Sequence, residues 1–262
     1  MGARYDEFAG RHILITGAAS GIGQACAVEF ARCGAKLSLC DLQAETATAA
    51  EAQKLGAQVQ SIALDVADEQ AVISAFAQAE SSFGPLQVLV NNAGIQRESP
   101  ADAISMADFD KVLNIDMRGA FMCAREALRS FLKHATRGSI VNMSSVHQVI
   151  PRPDFISYSM SKGAIGNMTR TLALEYADRG IRVNAVAPGA TATPINSDWV
   201  GDPARLAAVA AHIPMARVAQ PVEVARAVLY LASNDAAYVT GHTLVIDGGL
   251  CLYPSFREPW SA

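Results

Sequence analysis

His12-Ile-Leu-Ile-Thr-Gly-Ala-Ala-Ser-Gly-Ile-Gly23 places a strand, a glycine turn and a helix in immediate succession. His12 to Thr16 is a short apolar run, and the helical pattern of Gly21 to Cys33 follows the turn without a linker. Glycine lets the backbone bend sharply and approach a ligand that a Cβ would hold off. The start of a helix offers free N–H groups and the positive end of its dipole. The order therefore predicts a pyrophosphate cradle built by Gly17, Ser20, Gly21, Ile22 and Gly23. One glycine-rich loop is weak evidence by itself, so the rest of the chain has to show the same alternation.

Strand patterns at Lys36–Cys40, Val59–Ala63, Val88–Asn91, around Ile140, at Val183–Ala187 and at Thr243–Ile246 do alternate with helical ones. The helical patterns are Gln43–Leu55, Glu69–Phe83, about Phe109–Lys133, Ser157–Ala177 and Pro221–Ala232. Apolar runs this short between amphipathic helices indicate a parallel sheet buried on both faces, with right-handed crossovers. The fold class is α/β, doubly wound. A chain of 262 residues suits one such domain, and no linker divides it, so residues 1–262 are read as one domain. The longest connection, about residues 189–219, carries a short helical pattern of its own and reads as a lid inserted over a site.

Composition narrows the function classes. Half the residues are apolar (51%), the net charge is −4, and the basic residues are dispersed, which argues against nucleic acid or an anionic membrane as partner. Cys26, Cys33, Cys40, Cys123 and Cys251 are odd in number and form no C-x-x-C pair. That pattern suits reduced thiols better than a disulfide framework, and no metal site is expected. The first residues contain no apolar leader, and no run approaches about 18 apolar residues. A cytoplasmic protein acting on a small molecule is expected.

Asp41 ends the second strand, about twenty residues past the glycines, where a carboxylate accepts hydrogen bonds from a ribose 2′-hydroxyl. A 2′-phosphate would meet a like charge there, and Ala19, Ser20 and Leu42 supply no cation. NAD is therefore expected over NADP. Asp65 and Val66 follow the third strand, in position to reach an adenine ring.

The chemistry lies in Ser145-Val-His-Gln-Val-Ile-Pro-Arg-Pro-Asp-Phe-Ile-Ser-Tyr-Ser-Met-Ser-Lys162. Tyr158 and Lys162 are four residues apart, which on a helix sets them on one face. Gly138-Ser-Ile-Val-Asn-Met143 reads as a buried strand, so Ser145 stands just past its carboxyl end, where open α/β sheets bind ligands. Oxidising an alcohol needs a base for its proton and an acceptor for its hydride. A free phenol titrates near 10, so serving as base at neutrality takes roughly 4 kcal/mol of preference for phenolate. One ammonium about 4 Å away at an effective dielectric of about 20 supplies about that much. Tyr158 is thus the candidate base, Lys162 its activator, and Ser145 the donor that holds the reacting oxygen.

Taken together, TGAASGIG at 16–23, Asn91-Asn-Ala-Gly94, Asn114, Ser145, Tyr158-x-x-x-Lys162 and Pro188-Gly-x-x-x-Thr193 resemble a classical short-chain dehydrogenase/reductase from about Arg11 to Gly249. The resemblance implies a Rossmann-like sheet of seven parallel strands with helices on both faces, and usually a homotetramer. It implies a catalytic set of Asn114, Ser145, Tyr158 and Lys162, with Asn114 anchoring a water in a proton relay from Lys162. It adds Asn92, Ala93, Gly94, Pro188, Gly189 and Thr193, with Tyr158 and Lys162, to the cofactor-binding residues.

Asn142-Met-Ser-Ser-Val-His147, Thr193-Pro-Ile-Asn196, Ile213-Pro-Met215 and the tail Tyr253-Pro-Ser-Phe256 are similar to the glucose 1-dehydrogenase branch. In that branch, residues matching His147 and Asn196 are expected near the sugar. The branch carries an acidic residue where this chain has Gln96 and an aromatic one where it has Arg152, and Arg97 is not typical of it. The expected substrate is therefore an aldopyranose oxidised at C1 to a lactone. Arg97 and Arg152 suggest a clamp for a C6 anion, as in sulfoquinovose. Against the clamp, Arg97 can pair with Glu98 or Asp102, and Arg152 with Asp154, as solvated ions. The alternatives are glucose itself, a carbonyl or 3-oxoacyl reductase, or a protein that binds NAD without turnover. Substrate contacts are expected from Gln96, Arg97, Ser145, His147, Arg152, Tyr158 and Asn196.

Overall fold

The computed structural model describes residues 5–43 and 47–252; the tail motif Tyr253-Pro-Ser-Phe256 lies outside the described residues. Seven parallel strands form one sheet in the order β3-β2-β1-β4-β5-β6-β7. They are β1 His12–Thr16, β2 Lys36–Asp41, β3 Gln58–Ala63, β4 Val88–Asn91, β5 Ser139–Met143, β6 Arg182–Pro188 and β7 Thr243–Ile246. Each lies within a residue of its predicted limits. The helices are α1 Gly21–Arg32, α2 Ala47–Lys54, α3 Glu69–Phe83, α4 Met106–Leu113, α5 Ala120–Lys133, α6 Ile156–Tyr176, α7 Ser197–Val200, α8 Pro203–Ala211 and α9 Pro221–Ala232. Among the described residues no helix is long and apolar enough to cross a membrane.

Both faces of the sheet are covered, which is why its strands read as unbroken apolar runs. Ile13, Ile15, Leu37 and Leu39 point to one side and pack with Phe30 of α1 and Val228 of α9. Leu14, Leu89, Ile140 and Val183 point to the other and pack with Phe76 of α3, Phe131 of α5 and Leu172 of α6. The chain lays down β1, β2 and β3 in one direction and then crosses back to place β4 on the other side of β1. Connections leaving β1 and β4 consequently diverge, and a crevice opens at their carboxyl ends.

A buried polar ladder fixes α6 against that crevice. Asn91 Nδ2 donates to Ala120 O (2.7 Å) and to Asn142 Oδ1 (3.1 Å), while Asn142 Nδ2 donates to Thr169 Oγ1 (3.0 Å). The Thr169 hydroxyl in turn donates to Ile165 O at 2.8 Å. Because each buried amide would otherwise lose its water without compensation, the ladder locks β4, β5, α5 and α6 in one register.

The predicted helix over Phe109–Lys133 is not continuous. A π-helical turn, Asn114–Gly119, stands between α4 and α5. Gly119 allows it to press on the chain leaving β3, since a Cβ there would come within 2.8 Å of Val66 O. Such turns are frequent at functional sites, and this one carries both Asn114 and Asp116.

Candidate active site

The crevice is a pocket of about 360 Å³ lined by the glycine loop, the ends of β2 to β6 and the start of the segment after β6. At one end, α1 opens uncapped, the Ser20 side chain making no capping bond. Its first amides are thereby left for an anion. Gly17 has φ +65°, and a Cβ on Gly23 would lie 2.1 Å from Gly17 O. The loop therefore closes on itself as only glycines permit. Gly17, Ser20, Gly21 and Ile22 line the pocket; Gly23 is buried in the turn and shapes the loop instead.

The β4 end is tied to this loop. Asn92 and Ala93 donate their amides to Thr16 Oγ1 (3.0 and 3.1 Å), and the Asn92 side chain donates to Thr16 O and Gly17 O. Asp41 accepts from Ala19 N at 2.9 Å and lines the pocket with Asp65, Val66, Asn92, Ala93, Gly94, Pro188, Gly189 and Thr193. Lys162 is the one cation among the described lining residues. A nicotinamide dinucleotide fits these features: open amides and a glycine cradle at one end, a carboxylate beyond them, and a polar cluster at the other end.

That cluster is Ser145, Tyr158 and Lys162. Ser145 is buried, and its Oγ accepts from His147 N at 3.2 Å, which leaves its hydroxyl hydrogen free to be donated. Tyr158 and Lys162 share one face of α6, with the Lys162 ammonium 5.2 Å from the Tyr158 ring centre. Lys162 is 4% exposed, donates to Met143 O at 3.3 Å and lies 3.1 Å from Asp116 Oδ2. Burial alone would pull the ammonium down, but Asp116 and Tyr158 outweigh it and hold Lys162 above the ordinary lysine value.

Asn114, expected in this cluster, is exposed and is absent from the pocket lining. Asp116 occupies the position instead. Two residues along a helix face roughly opposite ways, so only one of the pair can point inward, and Asp116 belongs to the buried stripe Val112, Asp116, Gly119, Cys123, Ala127 and Phe131. A carboxylate in that otherwise apolar or small-residue stripe was the signal in the sequence. Asp116 is fully buried, and its Oδ1 accepts from Ile95 N at 2.8 Å. Burial pushes its carboxyl above the ordinary aspartate value, with Lys162 and the Ile95 amide pulling the other way.

Four of the expected substrate contacts do not line the pocket: Gln96, Arg97, His147 and Arg152. Gln96 Nε2 donates to Ile195 O at 2.9 Å and fastens the β4 loop to the segment after β6. Arg97 faces Asp108 at 3.6 Å, both exposed, and Arg152 stacks 3.7 Å over the Phe155 ring. The arginine clamp is thus not assembled: Arg97 meets Asp108 and Arg152 stacks on Phe155, and neither meets the acid anticipated for it. His147 borders the cluster, its ring centre 6.2 Å from that of Tyr158, and its Nδ1 donates to Ile150 O at 3.1 Å. Burial, and secondarily Arg152, lower its pKa while the Ile150 bond opposes them, so Nε2 is left as an acceptor. Asn196 lines the pocket and donates to Thr191 O at 2.9 Å. Ile95, Ile115, Thr191, Pro194 and Ile195 also line it without having been anticipated, because apolar loop residues carry no motif.

Residues 17–251 match the family model described as Enoyl-(Acyl carrier protein) reductase. The chain is 46% identical over 261 residues to a glucose 1-dehydrogenase of Gluconobacter oxydans, with 98% of each chain covered. It is 42% identical over 256 residues to 3β-hydroxysteroid dehydrogenase 1 of Eggerthella lenta, covering 97% of this chain and 98% of that one. Among solved structures, an Agrobacterium tumefaciens protein provisionally assigned as a 2-deoxy-D-gluconate 3-dehydrogenase, with bound NADP, matches with a TM-score of 0.89. Its identity is 32%, over 95% of this chain and 100% of that one.

Proposed function

The chain belongs to the short-chain dehydrogenase/reductase family of oxidoreductases, which bind a nicotinamide cofactor and act on CH–OH groups, and on that premise we propose that it oxidises the C1 hydroxyl of a neutral aldopyranose to a lactone, with NAD as acceptor. The observation that carries this reading is the meeting of Ser145, Tyr158 and Lys162 in the pocket that also holds the glycine cradle. Its bearing on a sugar comes from the end-to-end similarity to a glucose 1-dehydrogenase.

In this reading the Ser145 hydroxyl donates to the reacting oxygen and Tyr158 takes its proton, with the Lys162 ammonium favouring the phenolate. Asn196 and the free Nε2 of His147 meet sugar hydroxyls. The pyrophosphate would be held at the start of α1 and the adenosine ribose by Asp41. Asp65 and Val66 would hold the adenine, and the loops after β4 and β6 the nicotinamide half. Bound NAD supplies the hydride acceptor. The segment over residues 189–219 serves as the lid. A cytoplasmic homotetramer belongs to the same proposal: exposed Phe121, Met160 and Leu174 give α5 and α6 apolar surface for association, and the free cysteines, four of them buried, suit a reducing compartment.

The two arginines lend an anionic sugar no support, since neither lines the pocket and each has another neighbour, Asp108 for Arg97 and the Phe155 ring for Arg152. A second reading, an alicyclic alcohol or carbonyl compound, is favoured by the apolar wall of Ile95, Pro194 and Ile195. A substrate panel separates them: neutral aldoses, sulfoquinovose, a 3β-hydroxysteroid and a 3-oxoacyl thioester. The highest kcat/KM is expected for a neutral aldose, with lactone as product. Arg97→Gln and Arg152→Gln are each expected to change every sugar by no more than about 5-fold, in keeping with surface charges worth about 0–1 kcal/mol. Faster turnover of the steroid or thioester would replace the sugar reading, and a selective loss on sulfoquinovose would restore the clamp.

Cofactor preference is tested separately. NAD is expected to exceed NADP in kcat/KM, because Asp41 would repel a second phosphate and the one cation among the described lining residues, Lys162, belongs to the cluster with Ser145 and Tyr158. Asp41→Ala should lower kcat/KM for NAD by about 10- to 150-fold, the worth of a charge-assisted hydrogen bond of about 1.5–3 kcal/mol, and narrow the gap to NADP. Equal use of both cofactors by the wild type would contradict this role for Asp41.

A further inference from the structure

Resting on the reading that Tyr158 is the base, we propose that Asp116 is the positioning residue of the site: its carboxylate holds the Lys162 ammonium against Tyr158 and cancels part of that ammonium's charge. Lys162 is held at three points. Its Nζ lies 3.1 Å from Asp116 Oδ2, donates to Met143 O at 3.3 Å and sits 5.2 Å from the Tyr158 ring centre. Only the first of these carries an opposite formal charge. Asp116 is itself anchored through Oδ1 by the Ile95 amide at 2.8 Å. Its Oδ2 meets Nζ as an ion pair at 3.1 Å and has no other polar partner among the described residues. Gly94, part of the pocket lining, packs directly on the pair and leaves it room. A Cβ there would stand 3.2 Å from Asp116 Oδ2 and 3.3 Å from Lys162 Nζ.

The charges acting at this point are few. The π-helical turn contributes Asp116, α6 contributes Lys162 and Tyr158, β5 contributes the neutral Met143 carbonyl, and the turn after β5 the Ser145 hydroxyl. The short turn after β5 sets His147 beside Tyr158, and Arg152 acts on His147. From the α4 side, Asp108 is engaged with Arg97. A buried ammonium with a carboxylate in contact acts on a third group as a dipole rather than as a bare charge. Lys162 therefore favours the Tyr158 phenolate less than it would alone, and Asp116 sets how much less. Removing the carboxylate's charge while keeping its shape should make Tyr158 easier to ionise.

The test is an ultraviolet difference titration of tyrosinate in substrate-free protein, with the Tyr158→Phe signal subtracted to isolate Tyr158. Asp116→Asn and Asp116→Ser are compared with wild type after circular dichroism and thermal melts establish that they fold. In the folded variants the Tyr158 midpoint is expected about one pH unit lower than in wild type, the size of effect that one nearby charge exerts. The alkaline-rising limb of kcat against pH should move by the same amount for any alcohol that is turned over. A purely structural role would change the melt and leave the midpoint in place, and an unmoved midpoint overturns the proposal. If neither variant folds, Asp116 is a scaffold residue and the proposal also falls. Absence of turnover with every alcohol would remove the dehydrogenase reading instead, while the titration, which needs no substrate, still decides on Asp116.

Discussion

Tyr158→Phe is expected to lower kcat by about 10²- to 10⁴-fold, the usual worth of a positioned acid–base group, while NAD affinity stays within a few-fold of wild type. The asymmetry follows from geometry. The phenol stands at the Ser145 end of the pocket, whereas the cradle of Gly17 to Ile22 lies at the other, and removing one hydroxyl leaves the helix and the cradle intact. Stopped-flow measurement of the first turnover, with cofactor binding followed by fluorescence, separates the two quantities. Activity within ten-fold of wild type would mean that another group takes the proton. A large loss of NAD affinity would mean that Tyr158 is chiefly a binding residue.

Lys162→Met is expected to lower turnover as well, and its larger signature is in stability. It leaves the Asp116 carboxylate fully buried with its counter-charge gone, and breaking a buried pair in this way costs about 3–5 kcal/mol. The pH dependence has a definite sign. Burial already raises the Asp116 carboxyl, and loss of Lys162 raises it further. Between the unfolded value of about 3.9 and that raised value, the native state binds more protons than the unfolded one. Stability of the variant therefore falls as pH rises through this window and is recovered towards acid. Urea unfolding of Lys162→Met at a series of pH values measures this directly. The double variant Asp116→Asn/Lys162→Met should regain most of the loss, because no charge is then left unpaired. Equal stability of Lys162→Met and wild type at neutral pH would show that the pair contributes nothing net.

Both variants lie on one face of α6, a placement that helix spacing alone makes legible. Short unbroken apolar runs, glycine turns and helix spacing are local properties, and they are enough to set the seven strands and to place Gly17, Asp41, Ser145, Tyr158 and Lys162 at the carboxyl edge of the sheet. A parallel sheet covered on both faces leaves little freedom in this respect, since each strand must bury both of its sides and each crossover must return with the same hand.

What the tertiary structure decided was direction. Asn114 or Asp116 enters the site according to the phase of the helix, and the buried stripe that runs through the π-helical turn at Asn114–Gly119 puts Asp116 inward. The turn packs through Gly119 on Val66, a contact between segments far apart in the chain. Arg97 and Arg152 stand beside the right loops in sequence, yet Asp108 and the Phe155 ring hold them on the outer surface. Long flexible side chains go to whichever partner the fold brings nearest, and spacing along the chain does not record it. Sequence by itself thus determined the scaffold and the residues whose positions follow from strand ends and helix spacing. Only the folded chain set Asp116 against Lys162 and left the two arginines outside the pocket lining, the first because it joins segments distant in sequence and the second because a long side chain takes whichever neighbour the fold presents.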